Sequence, residues 1–176
     1  MELKTDYVLF RELVERQGIR KLYHFTDRDN LESIIRNGGL YSWADCEEKG
    51  IDICKPGGDA ASRSLDSRDG LQRFVRLSFA KSHPMMYVAM NEGRISNPVI
   101  LEIDPEVVWW KESKFADRNA VKTGAKIGGE LQDLEAVHFD TVKAQSYFNL
   151  SEEGQVVFSS GGVGEELHSV EFYKEY

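Results

Sequence analysis

The chain has 176 residues, 41% hydrophobic and 30% charged, with 22 Lys and Arg against 30 Asp and Glu for a formal net charge of −8. That length and balance fit one globular domain spanning residues 1–176 and exclude a disordered or fibrous chain. No apolar run approaches the roughly 18 residues of a membrane span. Met1-Glu2-Leu3-Lys4-Thr5-Asp6 also lacks the charged-then-apolar pattern of a signal peptide, so no membrane association is expected. Cys46 and Cys54 are the two cysteines and have no CxxC spacing, which points to a reducing, cytoplasmic setting. The acidic total argues against a general grip on nucleic acid, whose phosphates call for basic surface. Arg63, Arg68, Arg73 and Arg76 nevertheless fall close together, as either a local basic groove or a scattered solvated face.

A helix is predicted from Asp6 to Gln17, with Val8, Leu9, Leu13 and Val14 inward and Gly18 after it. Lys21 to Thr26 then reads as a short strand on Leu22, Tyr23 and Phe25. A helix follows, with Asp29 as N-cap, Glu32 in capping-box spacing, and Leu31, Ile34 and Ile35 on one face. Gly38 and Gly39 end it. Between Tyr41 and about Gly70 no period of 2 or 3.6 survives around Cys54-Lys55-Pro56-Gly57-Gly58-Asp59, and a ligand-covering loop is expected. Phe74 to Phe79 alternates as a strand with Val75, Leu77 and Phe79 on one face. Ser82, as cap, and Pro84 open a helix through Met90 whose methionines read as core filler. Val99 to Ile103 is a strand closed by Asp104-Pro105, and Glu106 to Trp110 fits a short helix or a strand. Glu130 to Val137 is helix-like, with Leu131 and Leu134 inward. Gln155 to Phe158 and Leu167 to Phe172 are late strands joined by a glycine-rich turn. Segregated strands with a few helices make the fold class α+β.

Little of the chain looks like a familiar chemical motif. His24, His83, His138 and His168 have no HxxxH or HxH spacing, so no metal is expected. There is no GxxxxGK[ST], no GxGxxG and no nucleophile elbow. His24 and Thr26 leave the first strand on one side, two residues apart. From the residues alone they serve equally as a structural pair or as the seat of a sugar or amide ligand.

Tyr23-His24-Phe25-Thr26-x-x-x-Asn30-Leu31-x-x-Ile34-Ile35-x-x-Gly38-Gly39-Leu40 resembles the opening of the DarT family, bacterial toxin ADP-ribosyltransferases that modify DNA bases using NAD. The likeness continues in Phe74-Val75-Arg76-Leu77-Ser78-Phe79, in Pro84-Met85-Met86, and in Phe115-Ala116-Asp117-Arg118-Asn119-Ala120, in the family's order. It implies an ADP-ribosyltransferase-like split β core with surrounding helices and NAD in the cleft. Residue by residue, it makes His24 and Thr26 the holders of the ribose and amide parts of NAD, with Phe25 and Asn30 shaping that pocket. It also implies an arginine against the NAD diphosphate and the reacting centre. Arg63 matches that position, with Arg68 competing because the loop length differs. A guanidinium suits two-pronged phosphate contact. Single-stranded DNA is the implied substrate, since a paired base hides its edge, and an antitoxin protein the implied partner.

One departure stands out. The resemblance implies a catalytic glutamate on a late strand, and the matching run here is Gly154-Gln155-Val156-Val157-Phe158. A carboxylate there stabilises the cationic ribosyl centre and takes a proton from the attacking base nitrogen. Gln155 keeps the shape but loses both functions. A deliberate Glu-to-Gln change, a naturally inactive relative, and a shifted register with Glu152 or Glu153 as the carboxylate all account for it. Rival readings are ADP-ribosylation of RNA, a non-catalytic NAD- or nucleic-acid-binding module, and a phosphotransferase acting on RNA 2′-phosphates.

Overall fold

The computed structural model describes residues 2–81, 83–118, 120, 124–143 and 168–170. The first helix, α1 (Tyr7–Arg16), buries Phe10, Leu13 and Val14. Val8 and Leu9, expected inward, are exposed. At 100° per residue Phe10 falls between Leu13 and Val14, and that stripe turns Val8 to the opposite side. Gly18, at φ +68°, then lets the chain reverse, with Ile19 N donating to Val14 O at 3.1 Å.

Strand β1 (Leu22–Asp27) is flanked on both edges. On one it pairs antiparallel with β3 (Pro98–Ile103), His24 opposite Leu101 and Thr26 opposite Val99. On the other, Tyr23 and Ser78 exchange backbone bonds of 2.9 and 2.8 Å at the end of β2 (Val75–Leu77). β2 in turn pairs with β6 (His168–Val170), within the expected last strand. A short pair, β4 (Phe115–Ala116) with β5 (Ile127–Gly128), completes the described strands. Leu22, Val75, Leu77 and Phe79 turn to a core shared with α1, Val107, Val108, Phe115 and Leu134.

Between β1 and β3 the helices are short. Asp27, rather than Asp29, caps the turn after β1. Its carboxylate accepts from Asp29 N at 3.0 Å over a 3-10 turn (Arg28–Asn30) that runs into α2 (Leu31–Arg36). Ile35 is 77% exposed, so the inward face of α2 is narrower than its apolar pattern suggested. The stretch expected as a loop contains α3 (Trp43–Lys49) and α4 (Ala60–Arg68), capped by Ser42 and Asp59. Periodicity did not reveal α4 because the residue it buries is Asp66 rather than a hydrophobe. Helix α5 (Pro84–Asn91) is capped by His83, whose Nδ1 accepts from Met85 N at 3.1 Å. The expected cap, Ser82, lies outside the described residues. Met86 is buried, whereas Met90 is 38% exposed.

Pro105–Trp109 is a 3-10 helix, the helical alternative for that segment. After β5 come α6 (Leu131–Glu135), which buries Leu134, and α7 (Phe139–Lys143). Among the described residues no helix is long and apolar enough to cross a membrane.

Candidate active site

The second half of β1 forms the floor of a cavity of about 260 Å³. Leu22, His24 and Thr26 alternate onto one face of the strand, where Leu22 is buried in the core and His24 and Thr26 continue along that face into the cavity lining. His24 Nδ1 lies 2.9 Å from Arg76 O. A carbonyl only accepts, so Nδ1 carries the proton and Nε2 is left as an acceptor. Burial lowers the His24 pKa from the ordinary histidine value, against the opposing pull of the Arg76 carbonyl, so the ring is neutral at pH 7.

Asn30 ties this floor to the opposite rim. Its Nδ2 donates to Thr26 Oγ1 at 3.0 Å and to Lys55 O at 2.8 Å, and its Oδ1 accepts from Lys55 N at 3.0 Å. The Pro56-Gly57-Gly58 turn is thereby brought over Phe25, where a Cβ added to Gly57 would sit 3.6 Å from Phe25 Cε2. From the other side the buried His83 ring stacks on Phe25, with centroids 5.6 Å apart.

Helices α3 and α4 build the facing wall. Arg63 lies over the Trp43 ring at 5.5 Å from its centroid, with Nη1 3.3 Å from Glu47 Oε1. One turn further along α4, Asp66 pairs with Arg76 of β2, and both side chains are largely buried in the cavity wall. Burial raises the Asp66 carboxyl above its usual range, and the guanidinium opposes that shift.

His24, Phe25, Thr26, Asn30 and Arg63 therefore line one cavity. Arg68 does not. It is 65% exposed and lies beside Asp69 at 2.8 Å. Gln155, Glu152, Glu153 and Asn119 lie outside the described residues. The four clustered arginines form no bare basic groove: Arg63 meets Glu47, Arg68 meets Asp69, Arg73 meets Asp45 and Glu48, and Arg76 meets Asp66. Sequence reasoning missed Asp66, Arg76 and Arg94 as cavity residues. Arg76 was the findable one, because it alternates with Val75 and Leu77 and so must point away from the core. Among the described residues no three His, Cys, Asp or Glu side chains are grouped to hold a metal ion.

The cleft thus lies, within a mixed α and β fold, between a histidine-bearing strand and an arginine-bearing helix. Solved structures share the fold. Thermus sp. 2.9 DarT in complex with ADP-ribosylated ssDNA superposes with a TM-score of 0.63 at 19% identity, over 88% of this chain and 76% of that one. Thermosipho africanus DarTG in complex with ADP-ribose gives 0.64 at 22% identity, over 86% of this chain and 40% of that one. Thermus sp. 2.9 DarT in complex with NAD+ gives 0.57 at 19% identity, over 87% and 75%. No curated protein matches the sequence. The family model described as DarT, ssDNA thymidine ADP-ribosyltransferase, matches residues 23–160. The chain belongs to the DarT family of single-stranded DNA thymidine ADP-ribosyltransferases.

Proposed function

We propose that this chain uses its cavity to bind NAD+ as ADP-ribose donor, with thymidine of single-stranded DNA as acceptor, and that Gln155 suppresses turnover while leaving binding intact. The observation that carries this reading is the convergence of His24, Thr26 and Arg63 on one cavity within the family-matched segment. The residues present suit a dinucleotide: a neutral imidazole acceptor, the flat Trp43 and Phe25 surfaces, and a guanidinium opposite them. When bound, NAD+ supplies the ADP-ribosyl group, with nicotinamide as the leaving group. His24 Nε2 would accept a hydrogen bond from a ribose hydroxyl, and Thr26 would hold the amide side. Arg63, steadied by Trp43 and Glu47, takes the diphosphate. The same reading makes the chain a cytoplasmic toxin component partnered by an antitoxin protein that removes the modification.

Transfer to a base nitrogen leaves a proton to be taken up and positive charge to be stabilised at the ribosyl carbon. A carboxamide does neither, since it carries no charge and is not basic. Gln155→Glu is therefore expected to raise transfer of label from NAD+ to a thymidine-containing single-stranded oligonucleotide by about 10²–10⁴-fold. The Gln155 protein and Gln155→Glu should bind NAD+ alike in calorimetry. Equal transfer by the two proteins would move the carboxylate role to Glu152 or Glu153. Label on RNA in place of DNA would replace the substrate assignment.

A further inference from the structure

Two backbone groups decide the polarity of the cavity floor. A peptide N–H only donates and a carbonyl only accepts. Lys55 offers Asn30 one of each, with Lys55 N donating to Oδ1 at 3.0 Å and Nδ2 donating to Lys55 O at 2.8 Å. That double contact determines which end of the carboxamide is nitrogen. The Asn30 atom 3.0 Å from Thr26 Oγ1 is therefore a donor, and the threonine oxygen accepts. Thr26 keeps its own hydroxyl proton, which nothing among the described residues accepts. Asn30, by contrast, has both N–H groups engaged within the protein and retains no donor for a ligand. The Arg76 carbonyl does for His24 what Lys55 does for Asn30: it requires Nδ1–H and leaves Nε2 as an acceptor.

We infer that Asn30 acts on the donor substrate through Thr26, aiming the threonine hydroxyl proton into the cavity, so that the floor offers an acceptor at His24 Nε2 and a donor at Thr26 Oγ1. The two groups share a strand face with a repeat of about 6.6 Å. That arrangement selects a ligand with a hydroxyl at one end and an acceptor oxygen at the other. A nicotinamide riboside unit has both, in its ribose hydroxyls and its carboxamide oxygen. The inference rests on NAD+ being the donor. It makes Asn30 a positioning residue and Thr26 the specificity group.

Calorimetry of the full chain with NAD+ tests it. Thr26→Val removes the donor and is expected to weaken binding about tenfold, whereas Thr26→Ser retains it. Asn30→Asp places a carboxylate oxygen against Thr26, draws the hydroxyl proton to itself, and is expected to cost a similar factor. Because Asn30 works through Thr26, the Thr26→Val/Asn30→Asp double variant should bind no more weakly than Thr26→Val alone. A further loss from Asn30→Asp in the Thr26→Val background would overturn the inference, since it would show a direct contact or an effect carried by the Lys55 turn. Thr26→Val binding like wild type would overturn it too. Thermal unfolding monitors folding, and should Asn30→Asp not fold, the Thr26→Ser against Thr26→Val comparison decides. Wild type failing to bind NAD+ would overturn the donor assignment together with this inference. Wild type binding NAD+ with Asn30→Asp unchanged would overturn the inference alone.

Discussion

At the level of single residues, most of the organisation comes from polar side chains that bond to distant backbone. Asp27 is fully buried at the end of β1, and its carboxylate accepts from Asp29 N, Ser96 N at 2.7 Å and Asn97 N at 2.9 Å. The Asp29 and Asn97 amides hold its pKa down at about 2, against the cost of burial. The folded pKa lies below the unfolded value of roughly 3.9, so this contribution to stability is complete above that value. It is lost as pH falls through about 2. Asp27→Asn should therefore lower the urea midpoint at pH 5 and above, and the gap to wild type should close by about pH 2. A gap unchanged at that pH would contradict the assignment. Lys4 plays a comparable part at the amino terminus, with Nζ donating to Ser113 O at 3.0 Å and Gly129 O at 2.6 Å beneath Phe10 and Phe115. Burial pulls its ammonium below the ordinary lysine range while Glu130 opposes the shift.

Among the elements, α4 is the informative one. Its inward side chain is a carboxylate, and the pair it makes with Arg76 joins the helix that carries Arg63 to the strand whose carbonyl orients His24. Removing the Asp66 charge takes away the carboxylate that Arg76 meets in this largely buried wall. Asp66→Asn is expected to cost about 3 kcal/mol in denaturant unfolding, while Asp66→Leu/Arg76→Met recovers most of that loss. If the double variant were as unstable as the single, the pair would not be what docks the helix. Ser42 and Asp59 cap α3 and α4 through amides three positions on, and neither is among the caps expected from the sequence. The helices themselves were not readable, because short segments with a polar buried side have no hydrophobic period.

For the molecule as a whole, a family that acts on DNA is represented here by a chain of net charge −8 whose clustered arginines each face a carboxylate. These four cations are therefore engaged with the protein's own carboxylates before any phosphate backbone arrives. Binding of a single-stranded oligonucleotide should weaken only gently with salt, with a log–log slope no steeper than about −2, as expected for neutralising some three phosphates. A steep slope would reveal a basic surface beyond these arginines. Recognition under this scheme depends on the base and the cavity more than on the backbone.

By itself the sequence determined the α+β class, the strand carrying His24 and Thr26, the glycine stops, and the ordered blocks of a DarT-family chain. Each of these rests on local signals: alternation, caps, turn residues and contiguous motifs. Tertiary structure decided what local signals do not encode. It brought Arg63 rather than Arg68 to the cavity, engaged Asn30 with Lys55, and set Arg76 between His24 and Asp66. Those choices depend on how helices with polar inner faces dock across a chain separation of tens of residues. Ion pairs and backbone hydrogen bonds govern that docking, and neither leaves a period in the sequence.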